Sequence, residues 1–174
     1  MTDFVKPLDE FLIVRNMRLM EPSHDLAMVI LKGHLVLEEM LRRILVRHVS
    51  NPTALEDIRL SFFQALRLVQ ALSQPNQKEL WHDLEQLNRI RNVLAHQVEP
   101  LDIENKIDAF LASFITEFGF ITQLLTEHPT AEQRAMILHI KMTSLSAHLR
   151  HVLEGSPGVT EDDYLIHGCP LGGQ

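Results

Sequence analysis

NQKELWHDLEQLNRIRNVLAHQVEP, residues 76 to 100, reads as one amphipathic helix. Asn76 with Glu79 three residues on is a capping-box-like start, the helix reaches His96, and Pro100 stops it. At about 100° per residue Leu80, Leu84, Leu87 and Leu94 share a narrow arc, the stripe a helix turns toward a core, and Arg91 falls inside it. A guanidinium on an apolar seam must pair with a carboxylate, reach an interface or line a cleft, because an unpaired buried charge is costly. The simplest accounts are that Arg91 snorkels to solvent or forms a structural ion pair with Glu38. Asn92 and His96, four apart, share a flank, whereas Arg91 and His96 lie about 140° apart. The Arg must therefore reach round, or the helix must loosen near its end.

Outward from this segment, proline and polar turns separate periodic stretches, and no run alternates like a strand. A short helix fits residues 8 to 20, ended by Pro22. A second runs from an N-cap at Ser23 to Val49, with Leu26, Ile30, Gly33, Leu37, Met40, Ile44 and His48 on one stripe. Residues 53 to 73 hold one or two shorter helices. Asp102 caps a Phe-rich helix carrying Ile107, Phe110, Phe114, Phe118, Ile121 and Leu125, read as core. Pro129 and Thr130 open a last helix with Leu138, Met142, Leu145, Leu149 and Val152 on one stripe. The expectation is all-α, an up-and-down helical bundle of about five to seven helices in a single domain over residues 1–154, followed by a Gly-rich tail over 155–174.

The chain has 174 residues, enough for one core at 45% hydrophobic content, and its 22% charged fraction argues against disorder. The start MTDFVKPLDEFLIV has no basic region before a long apolar run, and the longest apolar stretch, Leu26 to Leu31, stops at Lys32. No signal peptide or membrane span is expected. The single cysteine, Cys169, cannot form an internal disulfide, which suits a reducing, cytoplasmic setting. A net charge of -7 speaks against broad nonspecific nucleic-acid binding while leaving room for a local basic cleft.

An Arg followed five residues later by His occurs three times, at Arg43 to His48, Arg91 to His96 and Arg134 to His139. Only the middle copy, RNVLAH, has a polar amide, Asn92, directly after the Arg; the other two read as ordinary helix-surface residues. This motif resembles that of the HEPN superfamily, whose ribonuclease members carry Arg, a polar residue, and His four to six residues after the Arg. KGHLVLEEMLRRIL, residues 32 to 45, is likewise similar to the long first core helix of HEPN domains, and the resemblance spans roughly residues 23 to 150. It implies a HEPN-like bundle and a homodimer placing two motifs across a shared cleft that cleaves RNA without metal or cofactor. A toxin or defence role would add an antitoxin or other neighbouring-gene protein as partner. HepT-type toxins carry a Tyr two residues after the His; this chain has Val98, so nucleotidylation there is unavailable. Relatives resembling the mannitol-repressor family keep the fold without evident nuclease chemistry, which implies the alternative of a non-catalytic binding protein or transcriptional co-regulator.

The residue types fit the reaction. Attack by the RNA 2′-hydroxyl needs a base for its proton, an acid for the leaving oxygen and positive charge on the phosphoryl group. His96 can be acid or base near neutrality, Arg91 can grip two phosphate oxygens, Asn92 can orient His96 or contact phosphate, and Glu38, four residues after His34, is the candidate for orienting Arg91. Other constellations are weaker. Glu79 to His82 and Glu21 to His24 have the spacing of carboxylate-bridged metal bundles, but Pro22 spoils the second; His148, His151 and Glu154 read as a solvated helix end. No metal site is expected. No nucleophile or phosphate-loop motif is present. Lys32, Arg42, Arg43 and Arg47 form the densest basic region, offset by Glu38 and Glu39, and are read as a solvated face that could frame an RNA path.

Overall fold

Asp25 starts the first helix: its side-chain Oδ1 accepts from the amides of Ala27 at 2.9 Å and Met28 at 3.3 Å, satisfying two donors that a helix start leaves open. The computed structural model describes residues 25–55, 57–73, 77–97, 102–117 and 129–154. Among these it is all-α, with five helices: α1 (Leu26–His48), α2 (Phe62–Leu72), α3 (Lys78–His96), α4 (Ile103–Glu117) and α5 (Ala131–Glu154), plus a 3-10 turn at Pro52–Leu55. The expected helix over 8 to 20, the Ser23 cap and the tail from 155 lie outside the described residues, as do Phe118, Ile121 and Leu125. The cap of α1 is Asp25 in place of Ser23.

Helix α1 is central, packing against α2, α3 and α5. Three neighbours demand more than a narrow stripe, so Val29, Val36, Leu41 and Leu45 are buried beside the expected Ile30, Leu37, Met40 and Ile44. His48, placed on that stripe by periodicity, is exposed, its Nδ1 turned back to the Ile44 carbonyl at 2.9 Å. At Gly33, α1 lies directly against Met142 of α5. A Cβ there would stand 2.8 Å from Met142 Sδ and 2.9 Å from its Cγ. Gly33→Val is therefore expected to lower unfolding stability by roughly 1–3 kcal/mol through overpacking. Adding Met142→Ala, which clears the colliding atoms, should make the double substitution less destabilising than the sum of the two, read by urea denaturation.

Residues 53 to 73 resolve into the 3-10 turn and α2, whose Ser61 and Gln64 form a reciprocal capping box. The box expected at Asn76 and Glu79 is not the cap of α3: Gln77 holds that position and makes no side-chain cap bond. Asp102, expected to cap α4 with its side chain, has φ 58 and engages through its backbone, its carbonyl accepting from the Lys106 amide at 3.1 Å. At α5 the expected start holds. Thr130 and Gln133 bond reciprocally, at 2.9 and 3.2 Å.

The core joins all five helices and includes Trp81, Leu84 and Leu87 of α3 and Ile107, Phe110 and Phe114 of α4. Two polar clamps bind its outer elements. Arg134 of α5 holds Asp108 of α4 in a two-pronged ion pair, Nε to Oδ1 at 2.9 Å and Nη2 to Oδ2 at 3.1 Å; it is not the ordinary surface residue its spacing suggests. Lys141, fully buried, donates to the Phe110 carbonyl at 2.5 Å and Ser113 Oγ at 3.3 Å, meets Asp83 of α3 at 2.9 Å, and lies 4.0 Å from the Phe110 ring centre. Long aliphatic stems let a cation reach such a junction while its head stays fully bonded. No helix among the described residues is long and apolar enough to cross a membrane.

Candidate functional site

Helix α3 presents two characters in succession. It buries Leu80, Trp81, Leu84, Leu87 and Ile90, whereas from Arg91 to its end every residue is half-buried or exposed. Arg91 and Leu94 are half-buried, and Asn92 and His96 are exposed. The helix does not loosen: it remains regular to His96, and the Gln97 amide closes it on the Val93 carbonyl at 3.0 Å. Arg91 therefore does not share a face with His96.

The Arg91 guanidinium donates from Nη1 to Asn92 Oδ1 at 3.1 Å. It makes no ion pair among the described residues, and His96 makes no hydrogen bond among them. Glu38 is engaged elsewhere: Oε1 accepts from Arg42 Nη2 at 3.2 Å, and Oε2 lies 3.9 Å from His34 Nδ1. Arg42 also donates to the Leu60 carbonyl at 2.7 Å. The structure thus brings Arg91 and Asn92 together, keeps His96 apart on the same helix, and commits Glu38 to Arg42 and His34.

Behind Arg91 stands His34 of α1, whose part in the site sequence reasoning missed. Only 2% exposed, its ring stacks on Phe62 of α2 at 4.2 Å, and its Nε2 donates to Asn88 Oδ1 of α3 at 3.2 Å. Burial holds this imidazole below its ordinary pKa, and the Arg91 charge adds to the depression, against an opposing pull from the Asn88 bond and Glu38. The available signal was a histidine one turn after Ile30 and three residues before Leu37, on the buried arc of α1. His139 of α5 is also held low, first by burial and then by Lys32.

The basic region is largely neutralised within α1, where Arg42 and Arg43 pair with Glu38 and Glu39 one turn earlier. His82, offered as a metal ligand with Glu79, takes Gln86 as its partner at 2.6 Å, and His148 Nδ1 bonds the Ser144 carbonyl at 2.9 Å. Among the described residues no three His, Cys, Asp or Glu side chains gather as a metal-binding set. Compared with protein-family models, curated proteins and solved structures, the chain matches none.

Proposed function

We propose that this chain is a metal-independent endoribonuclease of HEPN type, working as a homodimer in the cytoplasm as a toxin or defence effector restrained by a neighbouring-gene protein. The observation that carries the reading is the state of Arg91: a half-buried guanidinium whose one hydrogen bond among the described residues is to the adjacent Asn92, with the expected carboxylate, Glu38, turned to other partners. A cation with that much hydrogen-bonding capacity left over suits a phosphate. In the reaction a base takes the 2′-hydroxyl proton, O2′ bonds to phosphorus, the P–O5′ bond breaks, and an acid protonates the departing O5′, leaving a cyclic phosphate and a 5′-hydroxyl. His96 supplies acid or base, Arg91 holds the non-bridging oxygens, and Asn92 orients the guanidinium.

The regular end of α3 favours two chains. With Arg91 and His96 about 140° apart on an unbroken helix, the Arg of one protomer meets the His of its partner more readily than its own. Arg91→Ala and His96→Ala chains, each inactive alone, should therefore regain about a quarter of the unmodified activity when unfolded together and refolded, since random pairing restores one of two sites in half the dimers. Mixtures as inactive as the separate variants would rule out the shared site. The internally paired Arg42 and Arg43 favour the second reading, a non-catalytic binding protein of the same fold or transcriptional co-regulator; intact RNA after incubation with the unmodified dimer would select it.

A further inference from the structure

Asn88, His34, Glu38 and Arg42 form a continuous line of polar contacts running from α3 across α1 to the backbone at Leu60, immediately before α2. The line passes through a buried ring pinned by Phe62, and its α3 end, Asn88, lies one turn before Arg91 and Asn92. A buried polar group that finds its hydrogen-bond partner on a neighbouring helix fixes one arrangement of the elements that carry the pair, as His34 Nε2 and Asn88 Oδ1 do here. Among the described residues His34 Nδ1 has no hydrogen-bond partner, although the Glu38 carboxylate stands 3.9 Å away.

We propose that His34 is a positioning residue for Arg91: the neutral ring, bonded through Nε2 to Asn88, sets the face of α3 that presents the guanidinium, and its open Nδ1 makes that setting reversible by a proton. A proton arriving at Nδ1 turns Glu38 from Arg42 toward the ring and places a second positive charge behind Arg91. Among the described residues the charged groups acting on the ring are Arg91 from α3 and Glu38 from α1, and Phe62 of α2 supplies an aromatic face. The inference rests on the ribonuclease reading for what Arg91 does, while the coupling between His34 and Arg91 stands independently of it.

Both parts are testable on the full chain. In protein with 15N-labelled histidine, His34 should show a proton on Nε2 and a bare Nδ1 at neutral pH, and Arg91→Gln should move its protonation midpoint upward. An unchanged midpoint in Arg91→Gln would overturn the coupling, and this arm needs no RNA cleavage. In cleavage assays His34→Leu, which cannot bond Asn88, should lower kcat on the order of tenfold with KM nearly unchanged, as loss of a supporting partner does. His34→Gln, which can still donate to Asn88 but does not titrate, should recover most of kcat and flatten the acid side of the pH profile. A His34→Leu rate equal to that of the unmodified chain, or an unaltered acid limb in His34→Gln, would overturn the positioning role. If the unmodified chain cleaves nothing, the ribonuclease reading falls while the titration still decides the coupling.

Discussion

Replacing Arg91 with Ala should reduce RNA cleavage by on the order of 100- to 1000-fold, the effect of deleting one preorganised group that faces developing transition-state charge. The same variant should change the thermal midpoint by only about 2 °C or less, because a half-exposed side chain with no ion pair among the described residues is worth a few tenths of a kcal/mol. The combination is what separates a ligand-facing Arg from a structural one. A guanidinium locked in a buried ion pair would behave oppositely, losing several kcal/mol of stability. The geometry gives the first pattern its basis: Arg91 bonds Asn92, and Glu38 bonds Arg42. Parallel measurement of cleavage and thermal unfolding decides it, and a large fall in both would return Arg91 to the scaffold.

The largest stability effect belongs to the three-helix junction. Asp83→Ala should lower unfolding free energy by about 3–5 kcal/mol, because it removes a carboxylate 2.9 Å from a fully buried ammonium group. Lys141→Met should cost less, about 1–3 kcal/mol, the penalty of leaving acceptors unsatisfied. The asymmetry follows from access to water: Lys141 is 0% exposed, whereas Asp83, at 18%, can be rehydrated when its partner goes. Urea denaturation of both variants measures the difference, and the reverse order would mean that burial of the cation does not govern this junction.

Local signals in the chain carried the helices well. Proline stops, the Thr130 start and the apolar stripes of α1, α4 and α5 were all legible, because each depends on residues within a turn or two. Errors arose where tertiary partners decide. Periodicity put His48 inside, but a helix end has no neighbour to bury it; local spacing put Arg134 on the surface, but Asp108 lies twenty-six residues back in sequence and on another helix. The site divides in the same way. Arg91 and Asn92 were readable as neighbours on one helix, while the place of His34 behind them depends on how α1 crosses α3, which no single stretch encodes. Glu38, four residues after His34, reads from the sequence as a partner for Arg91, yet its own i+4 partner, Arg42, competes for it and wins.

Trp81 is the sole tryptophan of the chain, and it is buried on α3, the helix that ends in Arg91, Asn92 and His96. The protein consequently carries one intrinsic indole fluorophore, excited at wavelengths where its single tyrosine does not absorb, placed on the element that matters most to the proposed chemistry and almost three turns from Arg91. Emission from this indole reports whether α3 is seated in the core and is insensitive to crowding by other tryptophans. A variant at Arg91, Asn92 or His96 can thus be certified optically as correctly packed, in the same cuvette and before any substrate is added.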